Sequence, residues 1–193
     1  MSKPRIISGE AKGQHLKSVP GNITRPITDK VKEALFNILG TNIVESYFLD
    51  LFGGTGSVGL EALSRGAEYV LFIDIHHAAY KTIKTNLENL KFEQFADVLN
   101  QDAIKYLDNL PSRAFDYIFV APPQYKDIWK KTLSKLDTHI GWLHPDGLVI
   151  VQIDILEYEN IPLNHLEETN QRRYGDTLLV FYRLKSSVPS SDL

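Results

Sequence analysis

The sequence contains no cysteine, which excludes a disulfide framework, a thiolate metal site and a cysteine nucleophile. It has one methionine and two tryptophans, and no run approaches the roughly 18 apolar residues of a membrane span. The opening Met1-Ser2-Lys3-Pro4 lacks the apolar stretch of a secretory leader, so the expected location is the cytoplasm. The six histidines are scattered, only His76 and His77 being adjacent, and no His-Glu-x-x-His occurs. The expectation is therefore no metal.

What is present is enough for one ordinary domain. The chain has 193 residues, 43% of them apolar and 23% charged, a composition that is neither disordered nor membrane-embedded. A formal charge of −3 argues against a uniformly basic nucleic-acid binder, but the charge is unevenly placed. Residues 1–32 carry seven basic side chains (Lys3, Arg5, Lys12, Lys17, Arg25, Lys30, Lys32) against Glu10 and Asp29. A basic arm on an acidic body steers a polyanion to one face even when the total charge is negative. The expected organisation is a basic arm over 1–27, a domain over 28–185 and a loose polar tail over 186–193.

Pro26 to Asp29 supply turn and cap chemistry, and Val31, Ala34, Leu35, Ile38 and Leu39 recur at helical spacing up to Gly40. A strand over 46–52 breaks at Gly53-Gly54-Thr55-Gly56 and passes into a helix with Val58, Leu60, Ala62 and Leu63. A second strand over 69–73 ends at Asp74, a helix covers about 78–90, a weaker strand lies near Val98, and a short helix spans 103–110. Residues 115–120 form an apolar strand followed by Pro122-Pro123, and another helix contains Ile128, Leu133 and Leu136. After the turn Pro145-Asp146-Gly147 comes a buried strand over 147–153. Segments 163–169 and 177–182, separated by a turn with Arg172, Arg173 and Gly175, are expected to pair antiparallel. Alternating strands and helices with apolar central strands predict an α/β fold, a mostly parallel sheet covered on both faces, with ligands at the carboxyl ends of the strands.

Chemistry-bearing residues fall at those ends. Gly54, Gly56 and Gly59 form Gly-x-Gly-x-x-Gly between a strand and a helix, where backbone can approach a ligand at a helix N-terminus. Asp74, 18 positions after Gly56, can accept both hydroxyls of a ribose. A dinucleotide or an adenosyl cofactor such as S-adenosylmethionine satisfies both features. Asp50 separates them, because a carboxylate there repels a pyrophosphate and suits the cationic amino-acid end of S-adenosylmethionine. Asp102 is placed either to meet an adenine edge or to cap the helix at Ala103. Pro122-Pro123 fix an extended loop, and Tyr125 can stack on a planar base.

Several stretches resemble the bacterial small-subunit rRNA guanine-N2 methyltransferases of the RsmD type. They are Arg5-Ile6-Ile7-Ser8-Gly9, Arg25-Pro26-Ile27-Thr28-Asp29 with the helix that follows, Leu49 through Ala67, and Tyr174-Gly175-Asp176-Thr177. The resemblance covers roughly residues 5 to 183. It implies a Rossmann-like class I methyltransferase with a seven-stranded sheet and an antiparallel C-terminal hairpin. It also implies S-adenosylmethionine as cofactor, and the N2 amine of a guanine in 16S rRNA, within small ribosomal subunits or assembly intermediates, as target. A monomer is expected.

By the resemblance, cofactor contacts fall on Asp50, Phe52, Gly53, Gly54, Thr55, Gly56, Asp74, Ile75, Asp102 and Ala103. Base contacts fall on Ala121, Pro122, Pro123, Gln124 and Tyr125, and RNA contacts on Arg5, Lys12, Lys17, Arg25 and Thr28. The family pattern after the fourth strand is Asp-Pro-Pro-Tyr, whereas this chain reads Ala121-Pro122-Pro123-Gln124-Tyr125. Ala121 has no carboxylate, so only backbone carbonyls at Ala121 and Pro122, or Gln124, remain to hold an amine. The alternative expectations are a family member that binds cofactor and RNA without transfer, or a methyltransferase for another nucleic acid or a small molecule.

Overall fold

A computed structural model describes residues 4–21 and 27–186. Helix α1 (Asp29–Leu39) starts at Thr28, whose hydroxyl accepts the Val31 amide, and stops at Gly40. The chain then alternates β1 (Tyr47–Asp50), α2 (Ser57–Ser64), β2 (Tyr69–Ile73), α3 (His77–Leu90), β3 (Ala96–Leu99), α4 (Ala103–Leu107), β4 (Phe115–Val120), α5 (Ile128–Thr138) and β5 (Leu143–Asp154). It ends in the hairpin β6 (Leu166–Tyr174) and β7 (Thr177–Leu184). None of these helices is long and apolar enough to cross a membrane.

The seven strands lie in the order β3-β2-β1-β4-β5-β7-β6. Strands β1 to β5 run parallel, and β7 is antiparallel to both its neighbours. The chain winds outward from β1 to β3 and then returns to place β4 on the other side of β1. The strand order therefore reverses between β1 and β4, and the α/β connections diverge there to leave a crevice at the carboxyl ends.

Alternation along the strands divides the core. Phe48, Val70, Phe72, Phe119, Ile150 and Phe181 face α1, α2 and α3, whereas Leu49, Leu71, Ile118, Val120, Val149 and Val180 face α4 and α5. Gly59 lets α2 close onto the sheet, since a Cβ there would come within 2.3 Å of the Phe72 ring. At Gly56 a φ of 78° turns the chain into α2, a conformation that costs glycine little.

Boundaries differ from expectation where polarity masks periodicity. Helix α4 ends at Leu107, and β5 begins at Leu143, ahead of the turn signal. Arg172 and Arg173 belong to β6 itself, and the hairpin turns at Gly175-Asp176. Strand β6 is an outer strand with mostly exposed side chains, so it lacks the apolar run that marks an inner one.

Residues 4–21 are packed onto the domain. Ile6, Leu16 and Val19 are buried, and neighbouring side chains satisfy the arm's backbone. The carboxylate of Glu61, fully buried on α2, accepts the amides of Ile7 at 2.7 Å and Ser8 at 3.0 Å. It also pairs with Arg65 at 2.8 Å and with buried Lys32 at 3.4 Å. Burial holds the Lys32 ammonium below the ordinary lysine range, opposed by the nearby Glu61 charge. Lys32 Nζ donates in addition to Ser57 Oγ and to the Arg5 carbonyl. Farther along, Ser64 Oγ accepts the Ala11 amide and donates to the Ser8 carbonyl. Asn86 pairs with both backbone groups of Lys17 and donates to the Thr55 carbonyl in the glycine loop. Removing one member of a buried pair leaves the other charge uncompensated, at about 3–5 kcal/mol. We expect Glu61→Ala to lose stability on that scale in urea unfolding; a loss below about 1 kcal/mol, the level of an exposed pair, would contradict this account of the arm.

Candidate active site

A cavity of about 660 Å³ opens at the carboxyl ends of the strands, and its lining draws on the ends of β1, β2, β4 and β5. Asp50 closes β1. Its side chain is buried, and Oδ1 has no hydrogen-bond partner among the described residues. Burial pushes the Asp50 carboxyl up from its ordinary 3.8 to about 7; the Asp74 charge adds to the rise, and the amides of Gly59 and Phe52 oppose it. A buried oxygen without a partner costs free energy, a cost that a donor or cation in the cavity would offset.

Phe52, Gly53, Gly54 and Thr55 line the cavity next to Asp50, and the loop is fixed by backbone bonds. Gly53 donates to the Ile73 carbonyl at 2.9 Å, and Gly56 donates to the Gly53 carbonyl at 2.7 Å. Gly56 shapes this loop without lining the cavity. Asp74 follows β2 and accepts the Gly54 amide on Oδ2 and the His76 amide on Oδ1, each at 2.8 Å. These bonds hold the carboxylate in one orientation, and each oxygen keeps acceptor capacity for a further hydroxyl. Ile75 adds an exposed apolar surface beside it. Asp102 caps α4 by accepting the Lys105 amide at 2.9 Å, and it lines the cavity with Ala103.

The opposite wall is formed by Ala121, Pro122, Pro123 and Gln124 after β4, and Thr28 joins them from the N-terminus of α1. Tyr125 lies outside the lining. It is 66% exposed with a φ of 60°, and its amide donates to Glu157 Oε1. The described basic residues of the arm, Arg5, Lys12 and Lys17, do not line the cavity either. Arg5 pairs with Asp29 at 2.8 Å. Lys17 is held through its backbone by Asn86. Lys12 sits on the turn that packs against the far end of α2 at Ser64. Arg25 lies outside the described residues.

The lining also includes residues not expected from the sequence, among them Lys126, Lys131, Gln152 and Thr177. The signal for Gln152 was a single uncharged polar residue near the carboxyl end of an otherwise apolar strand. The lysines flank the start of α5 and read in sequence as an ordinary solvated helix face.

The fold and this cavity define a Rossmann-like class I methyltransferase. Residues 4–183 match the model of the family described as Conserved hypothetical protein 95. The chain is 39% identical over 181 residues to the Bacillus subtilis protein YlbH, covering 93% of this chain and 98% of that one. It is 35% identical over 182 residues to the Haemophilus influenzae ribosomal RNA small subunit methyltransferase D, covering 93% and 92%. The solved structure of Escherichia coli yhhF superposes with a TM-score of 0.84 at 31% identity, over 95% of this chain and 99% of that one. The chain belongs to the Conserved hypothetical protein 95 family of methyltransferases.

An acid whose pKa is raised on folding keeps its proton while the unfolded chain loses it, so its contribution to stability falls as pH rises between the two values. For Asp50 that window runs from 3.8 to about 7. We expect Asp50→Asn to gain stability over the parent as pH is raised from about 5 to about 8, by on the order of a few kcal/mol. Urea unfolding at the two pH values measures this. A pH-independent difference would contradict the raised pKa.

Proposed function

We propose that the protein is an S-adenosylmethionine-dependent methyltransferase that modifies the N2 amine of a guanine in 16S rRNA. The observation that carries this reading is the buried, unpartnered Asp50 Oδ1 in one cavity with the oriented carboxylate of Asp74. Asp74 suits the two ribose hydroxyls, Asp50 faces the cationic methionine end directly or through a water, and Asp102 with Ile75 and Ala103 borders the adenine. When bound, the cofactor supplies a methyl group made electrophilic by its sulfonium. The protein's share is alignment and exclusion of water, since bringing the acceptor into line accounts for much of the rate in such transfers.

The rigid Pro122-Pro123 loop supports the base-binding role of the opposite wall. A guanine extruded from its stack is held by the carbonyls of Ala121 and Pro122, with Gln124 at the edge. Lys126 and Lys131 give this side of the cavity a positive rim, which suits the phosphates flanking an extruded nucleotide. RNA is also the named substrate class of the Haemophilus influenzae relative. Arg5, Lys12 and Lys17 on the arm then contact backbone phosphate farther out, Arg25 serves as a further phosphate contact, and Thr28 borders the base.

The test is transfer of a labelled methyl group to small ribosomal subunits lacking this modification, with mass mapping of the product. We expect one methyl on a guanine N2. Binding of cofactor and subunit without transfer would overturn the catalytic reading, and a methyl on another atom would overturn the target.

A further inference from the structure

At the end of β4, the methyl group of Ala121 stands where the family pattern has a strand-end carboxylate. An alanine side chain can orient no amine, yet the adjacent strand carries an acceptor. Strand β5 is parallel to β4 with Val151 level with Val120, so Gln152 stands beside Ala121, one strand over. Both residues line the cavity. Residues two back from each, Phe119 on β4 and Ile150 on β5, belong to the same core face, which by alternation turns Ala121 and Gln152 to one side of the sheet.

The carboxamide oxygen of Gln152 is buried and has no hydrogen-bond partner among the described residues. Its neighbour on the other side, Leu179 of β7, offers no side-chain donor. A buried carbonyl oxygen left unpaired is a net loss to the folded state, and a leucine or methionine at this position would avoid it. With the aligned Ala121 too short to fill the space, a glutamine one strand away brings an acceptor to the same wall.

We propose that Gln152 Oε1 accepts a hydrogen bond from the exocyclic amine of the target base, taking the place of the strand-end carboxylate that Ala121 lacks. The assignment rests on the guanine-N2 reading above. Gln152 is then a substrate-orienting residue: it fixes the amine while leaving the cofactor half of the cavity, around Asp50 and Asp74, untouched.

The experiment compares the parent, Gln152→Leu, Gln152→Met and Gln152→Leu with Ala121→Asp, all assayed on small subunits lacking the modification. We expect each single variant to lose about tenfold or more in kcat, the scale of one buried hydrogen bond acting in the transition state. Affinity for S-adenosylmethionine, measured calorimetrically, stays within about twofold, and urea stability is unchanged or raised because an unpaired polar atom has been removed. Adding Ala121→Asp restores most of the lost rate. A structural role for Gln152 would instead lower stability, and Ala121→Asp would restore nothing; that result overturns the assignment. Parent-like kcat in both single variants also overturns it and leaves the proposed function intact. Absence of transfer by the parent itself overturns the proposed function, and this assignment with it.

Discussion

The buried carboxylate of Glu61 is the interaction on which the rest of this structure depends. It lies on α2, the helix that starts from the glycine loop, and it receives two arm amides, Arg65 and Lys32. On its other side α2 is closed onto the sheet at Gly59 against Phe72. The helix is thus clamped between the sheet and the arm. The loop at its N-terminus inherits that rigidity, reinforced by Asn86, which ties Thr55 to the arm at Lys17. An ion pair of this kind is poor evidence for net stability against an apolar alternative. Its value lies in specifying one arrangement, because the Ile7 and Ser8 amides and the Lys32 ammonium meet it together only when both the arm and α1 are seated on α2.

That arrangement separates the electrostatics of the cavity into two halves. Three carboxylates, Asp50, Asp74 and Asp102, stand at successive strand ends on one side, and Lys126 and Lys131 stand on the other. Asp74 and Asp102 are engaged by backbone amides. Asp50 alone of the three keeps a buried oxygen without a hydrogen-bond partner among the described residues, and burial, with the Asp74 charge adding to it, raises its proton affinity. An acidic half and a basic half suit two ligands of opposite character meeting over the β1–β4 crevice. The topology that places the crevice there is set by the strand order, so the site follows from the winding of the sheet.

Much of this could be read from the sequence. The strand, glycine loop and helix, the acidic residues at strand ends and the closing hairpin all followed from local periodicity and turn chemistry, and those signals survive folding when a segment has one buried face. The state of the basic segment was not legible. Lys32 was counted among the seven basic side chains of residues 1–32, but its partner Glu61 is 29 positions away and is brought to it only by the packing of α1 on α2. Arg5 was expected as an RNA contact, and its pairing with Asp29 did not show in the sequence. Strand β6 was placed too early because its alternation is written in Glu, Asn, Gln and Arg. Gln152 was absorbed into an apolar strand, since which face a strand residue presents is decided by neighbours that periodicity does not name.

The central claim is that one cavity seats S-adenosylmethionine in its acidic half and leaves the β4 wall open for a base. Its most direct test is a crystal structure with S-adenosylhomocysteine, the product form of the cofactor. The account requires the ribose hydroxyls on Asp74, the adenine beside Ile75 and Asp102, and the homocysteine ammonium toward Asp50, with Ala121, Gln124 and Gln152 uncovered. A ligand seated against the Pro122-Pro123 wall, or one that leaves Asp50 Oδ1 unpaired, would contradict it.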